Sequence, residues 1–223
     1  MKQIRTAMGN VDMAKSFEAL VEIDETYVGG KPRKENVYID ADGVCHKAHT
    51  EENKRGRGTK KTPVIGIKER NTKRVYAQVA FPNKDGKKLT GKQLLNVLDT
   101  VCKDKYEDQN GYEQNTTVVS DEFKGYNILD KKTKFVHLSV NHSLGQFSNG
   151  NGIHTNGIEG FWANLKRGVY GIYHHISVKY MQKYVDEFCF RQNNREYSSA
   201  FDAVLKQAII LPVQKDNCSK LVA

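Results

Sequence analysis

Three acidic residues stand where their chemistry would count. Asp24 lies inside VEIDETY, an apolar run interrupted by acids. Asp121 closes the run VVSD, and Glu159 lies in HTNGIEGFWANLKRG, followed seven positions later by Lys166. On a strand, Glu22 and Asp24 project to one face while Ile23 and Glu25 project to the other. A carboxylate among Val21, Ile23 and Tyr27 is costly to desolvate unless it is protonated, paired or bound to metal. On a helix, Ile158, Trp162, Leu165 and Val169 make a packing stripe, and Glu159 sits about 100° round from Ile158, at its margin. Lys166 projects about 20° from Glu159 and about 10 Å further along, placed for a phosphate. Taken singly, each acid reads as an ordinary surface or strand-end residue, and Ser120 or Asp121 as the cap of the following turn. Together, two strand carboxylates and one helix carboxylate supply the hard oxygen ligands that Mg²⁺ or Mn²⁺ takes. Two such ions can activate a nucleophile on one side of a phosphorus and steady the leaving oxygen on the other.

The elements that must position these residues can be read from periodicity. Residues 19–28 alternate as a strand ending at Gly29-Gly30. Residues 62–69 and 73–81 flank a turn at Arg70-Asn71-Thr72 and read as a hairpin. Residues 89–103 put Leu94, Leu98 and Val101 on one helical face, with Thr90 as a cap. A strand over 116–122, a short helical piece near 122–129 and a strand over 134–140 follow. Helices are expected over 155–168, 176–193 and 198–210, the first two separated by the Gly168–His175 segment. Within 176–193, Val178, Met181, Val185 and Phe188 make the expected packing stripe, with Arg191 and Arg195 reaching beyond it toward phosphates or acids. The order is that of an α/β domain with a mixed sheet and a helical C-terminal region.

Charge narrows the partners. The chain has 223 residues, and its 35 Lys and Arg against 26 Asp and Glu give a net +9, a balance that favours encounter with polyanions. Residues 29–61 hold nine Lys or Arg against five acids, with GGKPRK at one end and NKRGRGTKK at the other. That stretch reads either as a solvated loop or as a basic insertion whose Lys54, Arg55 and Arg57, with Lys166 and Arg167, contact phosphates. No apolar run reaches the 18 residues of a membrane span, and the first residues lack the apolar stretch of a secretory signal. Four scattered cysteines without a CxxC exclude a disulfide scaffold and a zinc ribbon, so no zinc is expected and the compartment is reducing. Neither a phosphate-binding GxxxxGK[ST] nor HExxH occurs. His154 and Asn156 precede or open the third helical stretch, and His142 lies in the Gly/Asn/Ser-rich run 141–154; these three and His175 are accessory candidates. His137, between Val136 and Leu138, reads as a satisfied strand residue. Phe161 and Trp162 read as packing residues.

The blocks VEIDETYVGGK, VVSDEFKGY and VNHSLGQF…HTNGIEGFWANLKRGVYGIYHHIS…YMQKYVDEFCFRQNNR resemble the ISXO2-like transposases of the IS1595 group, within the DDE superfamily, over about residues 5–195. The resemblance implies an RNase H-like fold, metal-dependent strand cleavage and strand transfer, and two Mg²⁺ or Mn²⁺ ions. It implies Asp24, Asp121 and Glu159 as the catalytic metal ligands with Lys166 as the following basic residue. Some relatives carry Asn in the third place. Here Glu159, and not Asn156, has the seven-residue offset to Lys166. The partners it implies are double-stranded DNA, both transposon ends and target, and a second copy of the chain on that DNA; no membrane is implied, and the setting is cytoplasmic and nucleoid-associated. Relatives commonly begin with a zinc ribbon and a helix-turn-helix. This sequence reads as a residual helix and linker over 1–18, a catalytic domain over 19–195 with the 29–61 insertion, and a C-terminal helix and polar tail over 196–223. A nuclease without strand transfer and an inactive DNA-binding remnant are the alternatives.

Neutralising Lys54, Arg55 and Arg57 together should weaken binding to unrelated DNA sequences about equally. It should also lower the slope of log affinity against log salt by up to about three, if each contacts one phosphate. Affinity titrations at several salt concentrations check this; an unchanged slope identifies the run as a solvated loop.

Overall fold

In a computed structural model that describes residues 2–9, 16–29, 38–46, 61–80, 89–131, 134–140, 153–196 and 200–210, the central apolar runs become neighbouring strands. Helix α1 (Lys2–Gly9) precedes strand β1 (Leu20–Val28). Two short strands, β2 (Tyr38–Ile39) and β3 (Cys45–His46), pair within the basic insertion. The hairpin β4 (Thr62–Glu69) and β5 (Val75–Val79) forms around Arg70–Thr72 as expected. Helix α2 (Gly91–Val101) leads to a second hairpin, β6 (Lys105–Glu107) and β7 (Glu113–Asn115). Strand β8 (Thr117–Asp121), a 3-10 turn at Lys124–Tyr126, helix α3 (Asn127–Lys131) and strand β9 (Val136–Val140) follow. Helix α4 (Asn156–Gly168) runs on as a π-helical turn, Val169–Tyr173. A 3-10 turn at Val178–Tyr180 then opens α5 (Met181–Asn193), and α6 (Ala200–Ile210) is last.

The main sheet has the order β5-β4-β1-β8-β9. Strands β4 and β5 run antiparallel, whereas β1, β8 and β9 are mutually parallel. This is the mixed, helix-flanked α/β sheet that the order of elements in the sequence implies. Parallel neighbours need a crossover, and α2 with the β6–β7 hairpin supplies the one from the antiparallel half back to β8.

The alternation of β1 divides the core. Val21 and Ile23, with Ile65 and Ile67 of β4, pack on Leu94, Leu98 and Val101 of α2. Gln93 Oε1 accepts the backbone N–H of Thr90 at 3.0 Å, which fixes the start of α2 where the sequence places its cap. On the opposite face, Val28 and Val64 pack with Ile158, Trp162, Leu165 and Val169, the stripe expected on α4. Helix α5 packs on β5, where Asn193 and Gln182 bond the backbone of Val75 and Val79, and α1 packs on α5. Arg5 lies over the Tyr184 ring at 4.0 Å, and its Nε donates to the buried Glu187 at 2.6 Å.

Two expectations need correcting. Val178 is 49% exposed and does not join the α5 stripe, because it sits in the 3-10 turn, where the helical phase differs; Met181 and Val185 are buried and Phe188 packs beside them. The α4 helix also does not stop at Gly168 but continues through the π-helical turn. Among the described residues, no helix is long and apolar enough to cross a membrane.

Candidate active site

Asp24 and Asp121 come together through strand register. On adjacent parallel strands, Leu20 pairs with Thr117, Val21 with Val118 and Glu22 with Val119. That paired register stops at Glu22 and Val119; continued two residues along both parallel strands it leads to Asp24 and to Asp121, whose charge reaches Asp24. Asp121 also caps the next turn, its Oδ1 accepting the Phe123 N–H at 3.0 Å. The cap reading and the site reading therefore describe one residue.

Helix α4 reaches the same place by lying along β1. Glu22 Oε2 accepts the Ile158 backbone N–H at 2.9 Å, and Asp24 Oδ2 accepts the Trp162 indole N–H at 3.0 Å. Two strand residues rise about 6.6 Å and four helical residues about 6 Å, so the two contacts keep helix and strand side by side in the same direction. Glu159 lies between those two contacts, one turn before Trp162. It is exposed, and its Oε1 accepts the Thr155 hydroxyl at 2.9 Å.

Close approach of α4 depends on two missing side chains. Gly66 lies opposite Asp24 in β4, and a Cβ there would stand 2.4 Å from the Trp162 ring. A Cβ on Gly157 would stand 2.6 Å from Glu22 Oε2. A polar clamp holds the helix entry. Arg70 donates from Nε to Glu22 at 2.8 Å and from its terminal nitrogen to the His154 carbonyl at 2.5 Å, while Lys68 Nζ donates to the Gly157 carbonyl at 2.9 Å. Burial lowers the Lys68 ammonium's pKa, and the charges of Arg195 and Lys73 lower it further, against an opposing effect of Glu22.

Burial and like charge dominate the electrostatics at Asp24. The Asp24 carboxyl is pushed up to about 8, foremost by burial and then by the charges of Glu25, Asp121 and Glu159. Glu25, on the other face of β1, accepts the hydroxyl of the buried Tyr126 at 2.9 Å. Burial and the charges of Glu25, Asp24 and Asp121 push that phenol well above its usual range. Among the described residues, no three His, Cys, Asp or Glu side chains are gathered closely enough to hold a metal ion as they stand. Asp24 and Asp121 share a strand register and Glu159 borders them, but its carboxylate is engaged by Thr155.

Of the other candidates, Lys166 is half-buried and Arg167 exposed at the far end of α4, about two turns from Glu159. Asn156 is exposed as the first residue of α4. His154 has a buried Nδ1 without a hydrogen-bond partner, 3.5 Å from Glu22 Oε1, so it belongs to the helix clamp. His175 is exposed beyond the π-helical turn. His142, Lys54, Arg55 and Arg57 lie outside the described residues. His137 is a satisfied strand residue, bonded to Ser120 at 2.8 Å and Asp130 at 2.7 Å. Sequence reasoning missed Glu22, Arg70 and Gly66, and saw only packing in Trp162. The signals were there: Glu22 shares the face of Asp24, and a lone glycine inside an apolar strand marks a close approach.

A proton on Asp24 has a signed consequence for stability. An unfolded Asp ionises near 3.9, so between that pH and about 8 the folded, metal-free chain holds a proton the unfolded chain has lost. Stability therefore falls as pH rises through this window, by up to roughly 1.4 kcal/mol per unit. Asp24→Asn should flatten that slope, leaving the variant more stable than the wild type at pH 8. Thermal unfolding with chelator across the window checks this; parallel curves would contradict it.

Comparison with known proteins adds to this geometry. A search among curated proteins gives no match. Among solved structures, the chain is similar at 13% identity and a TM-score of 0.37 to the Mos1 transposase paired-end complex with left transposon end, over 93% of this chain and 62% of that one. The chain thus spans less than two thirds of that relative's length. The ISXO2-like transposase domain matches residues 17–193, from just before β1 to the end of α5. With all five main-sheet strands and both site-bearing faces inside that match, the chain belongs to the ISXO2-like transposase domain family, of the DDE type.

Proposed function

We propose that the chain cleaves and transfers DNA strands, with Asp24, Asp121 and Glu159 holding two divalent ions, Mg²⁺ or Mn²⁺, where β8 ends beside the middle of β1. The observation that carries this reading is the gathering of acids at Asp24, whose carboxyl is pushed up to about 8 by burial first and then by the charges of Glu25, Asp121 and Glu159. Such a donor set fits a hard divalent cation in kind: it is all oxygen and carries excess negative charge. When bound, the ions would supply activation of the attacking oxygen and stabilisation of the leaving one.

The chain's own groups have separate tasks. The Trp162 N–H fixes Asp24 Oδ2 and with it the plane of the carboxyl. The Phe123 N–H does the same for Asp121. Glu159 exchanges its Thr155 hydrogen bond for the shared centre, a change of side-chain rotamer on a helix that Glu22 holds in place. Lys166 and Arg167, at the end of the same helix, hold flanking phosphate without reading sequence. The partner is double-stranded DNA, with two copies of the chain acting on it.

The test is cleavage and strand joining on labelled oligonucleotide duplexes with Mg²⁺ or Mn²⁺. Asp24→Asn should reduce both by about a hundredfold to a thousandfold, the scale on which a transition-state charge stabiliser is lost, while DNA affinity changes little. Joined donor–target product supports transfer, and hydrolysed product alone supports a nuclease. Equal activity of the variant overturns the assigned site.

A further inference from the structure

Beyond the acidic centre, the end of α4 carries an apolar tip in a cationic field. Ile172 is 71% exposed, in the π-helical turn Val169–Tyr173. Single exposed apolar residues are common, but this one is held rigidly. Val169 is buried at one end of the turn. At the other, Tyr173 stacks edge-on against Tyr184 at 4.7 Å and donates its hydroxyl to Glu187. Tyr170, beside the tip, accepts from Lys61 Nζ at 3.2 Å.

The chain leaves the turn through a strained residue. His174 has φ 55° and ψ −41°, and the His175 N–H donates to the Tyr173 carbonyl at 2.5 Å across it. That is the γ-turn of positive φ, which is rare and strained. A non-glycine residue in such a conformation is strained and persists where the surroundings impose it, often at functional sites. π-helical turns share that tendency.

Charge identifies what the tip meets. Between Glu159 and Asp186 the sequence has Lys166, Arg167, Lys179, Lys183, His174 and His175, and no acid. Arg167, His174, His175 and Lys179 are exposed around the turn. Lys166, Arg167, Lys179 and Lys183, with no acid among them, flank one protruding β-branched side chain in the sequence, which suits a stacked polyanion: phosphates take the charges, and an apolar wedge enters between bases. A lipid surface would call for a broad apolar face rather than one tip.

We infer that Ile172 is a wedge that enters duplex DNA and unstacks one base step, with the surrounding cations holding its phosphates. This rests on the strand-transfer reading for its partner, and it adds a contact that reads DNA deformability rather than sequence. Ile172 lies 13 residues beyond Glu159 on a nearly continuous helix. The separation is about 20 Å along the axis, or about six base pairs of B-DNA. A step that unstacks readily, such as TA, would be favoured there.

The test uses the full chain without metal on short nicked duplexes carrying 2-aminopurine at successive positions. Wild type should raise the fluorescence about threefold or more at one step roughly six base pairs from the nick. Ile172→Ala should lose that rise while its affinity stays within about threefold, since the phosphate contacts remain, and Ile172→Leu should restore it. An Ile172→Ala signal equal to wild type overturns the wedge, as does a wild type that unstacks no step. So does Ile172-dependent binding to phosphatidylserine vesicles without DNA unstacking. Because this readout needs no catalysis, unstacking by a chain that neither cuts nor joins DNA would defeat the strand-transfer reading and leave the wedge standing.

Discussion

The buried carboxylate of Glu22 is the interaction on which the rest depends. It is 1% exposed, accepts the Ile158 N–H from the first turn of α4, and is paired with Arg70. A carboxylate at a helix start answers both an orphan N–H and the positive end of the helix dipole. Its two oxygens are answered by Arg70 and that N–H, and removing one partner of such a buried pair costs about 3–5 kcal/mol. The pair is weak evidence for stability as such. Its consequence is positional: it fixes where α4 begins relative to β1, and so where Glu159 and Trp162 fall.

From that anchor the site follows by geometry. One helical turn beyond Ile158, Trp162 meets Asp24, and only because Gly66 leaves room for the indole. One strand over, the parallel register leads toward Asp121, whose charge reaches Asp24. The cost is concentrated charge. Asp24 is held protonated near neutrality by burial and its acidic neighbours, while the cationic groups nearest α4's entry, Arg70 and Lys68, are committed to Glu22, His154 and Gly157. The fold thus separates two jobs within a few residues: Glu22 is paired with Arg70 to hold structure, and Asp24 faces mainly burial and acidic neighbours among the described residues.

Much of this was legible in the sequence because burial on both faces of a sheet imposes strict patterns. The β1 alternation, the β4–β5 hairpin, the Thr90 cap and the α4 stripe each follow from a period of two or 3.6 residues. The β6–β7 hairpin was not legible: Lys105–Glu107 and Glu113–Asn115 are almost wholly exposed, so no core imposes alternation on them. The π-helical turn escaped because Gly168 and Gly171 read as a helix end, whereas Gly168 instead admits the Phe188 ring, which a Cβ would meet at 2.1 Å. At the site, residue types pointed to the acids. Register and the α4 docking, both long-range, decided that Asp24 and Asp121 are neighbours, and that Glu22 is a clamp rather than a fourth acid of the centre.

The central claim is that Asp24, Asp121 and Glu159 form one cation-binding centre once their charge is balanced. The most direct measurement is anomalous diffraction from crystals of the chain soaked in Mn²⁺. The account predicts density between the Asp24 and Asp121 carboxylates, with Glu159 turned away from Thr155 toward it and Trp162 still bonded to Asp24. Ordered carboxylates with Mn²⁺ bound only elsewhere, and Glu159 still held by Thr155, would contradict it.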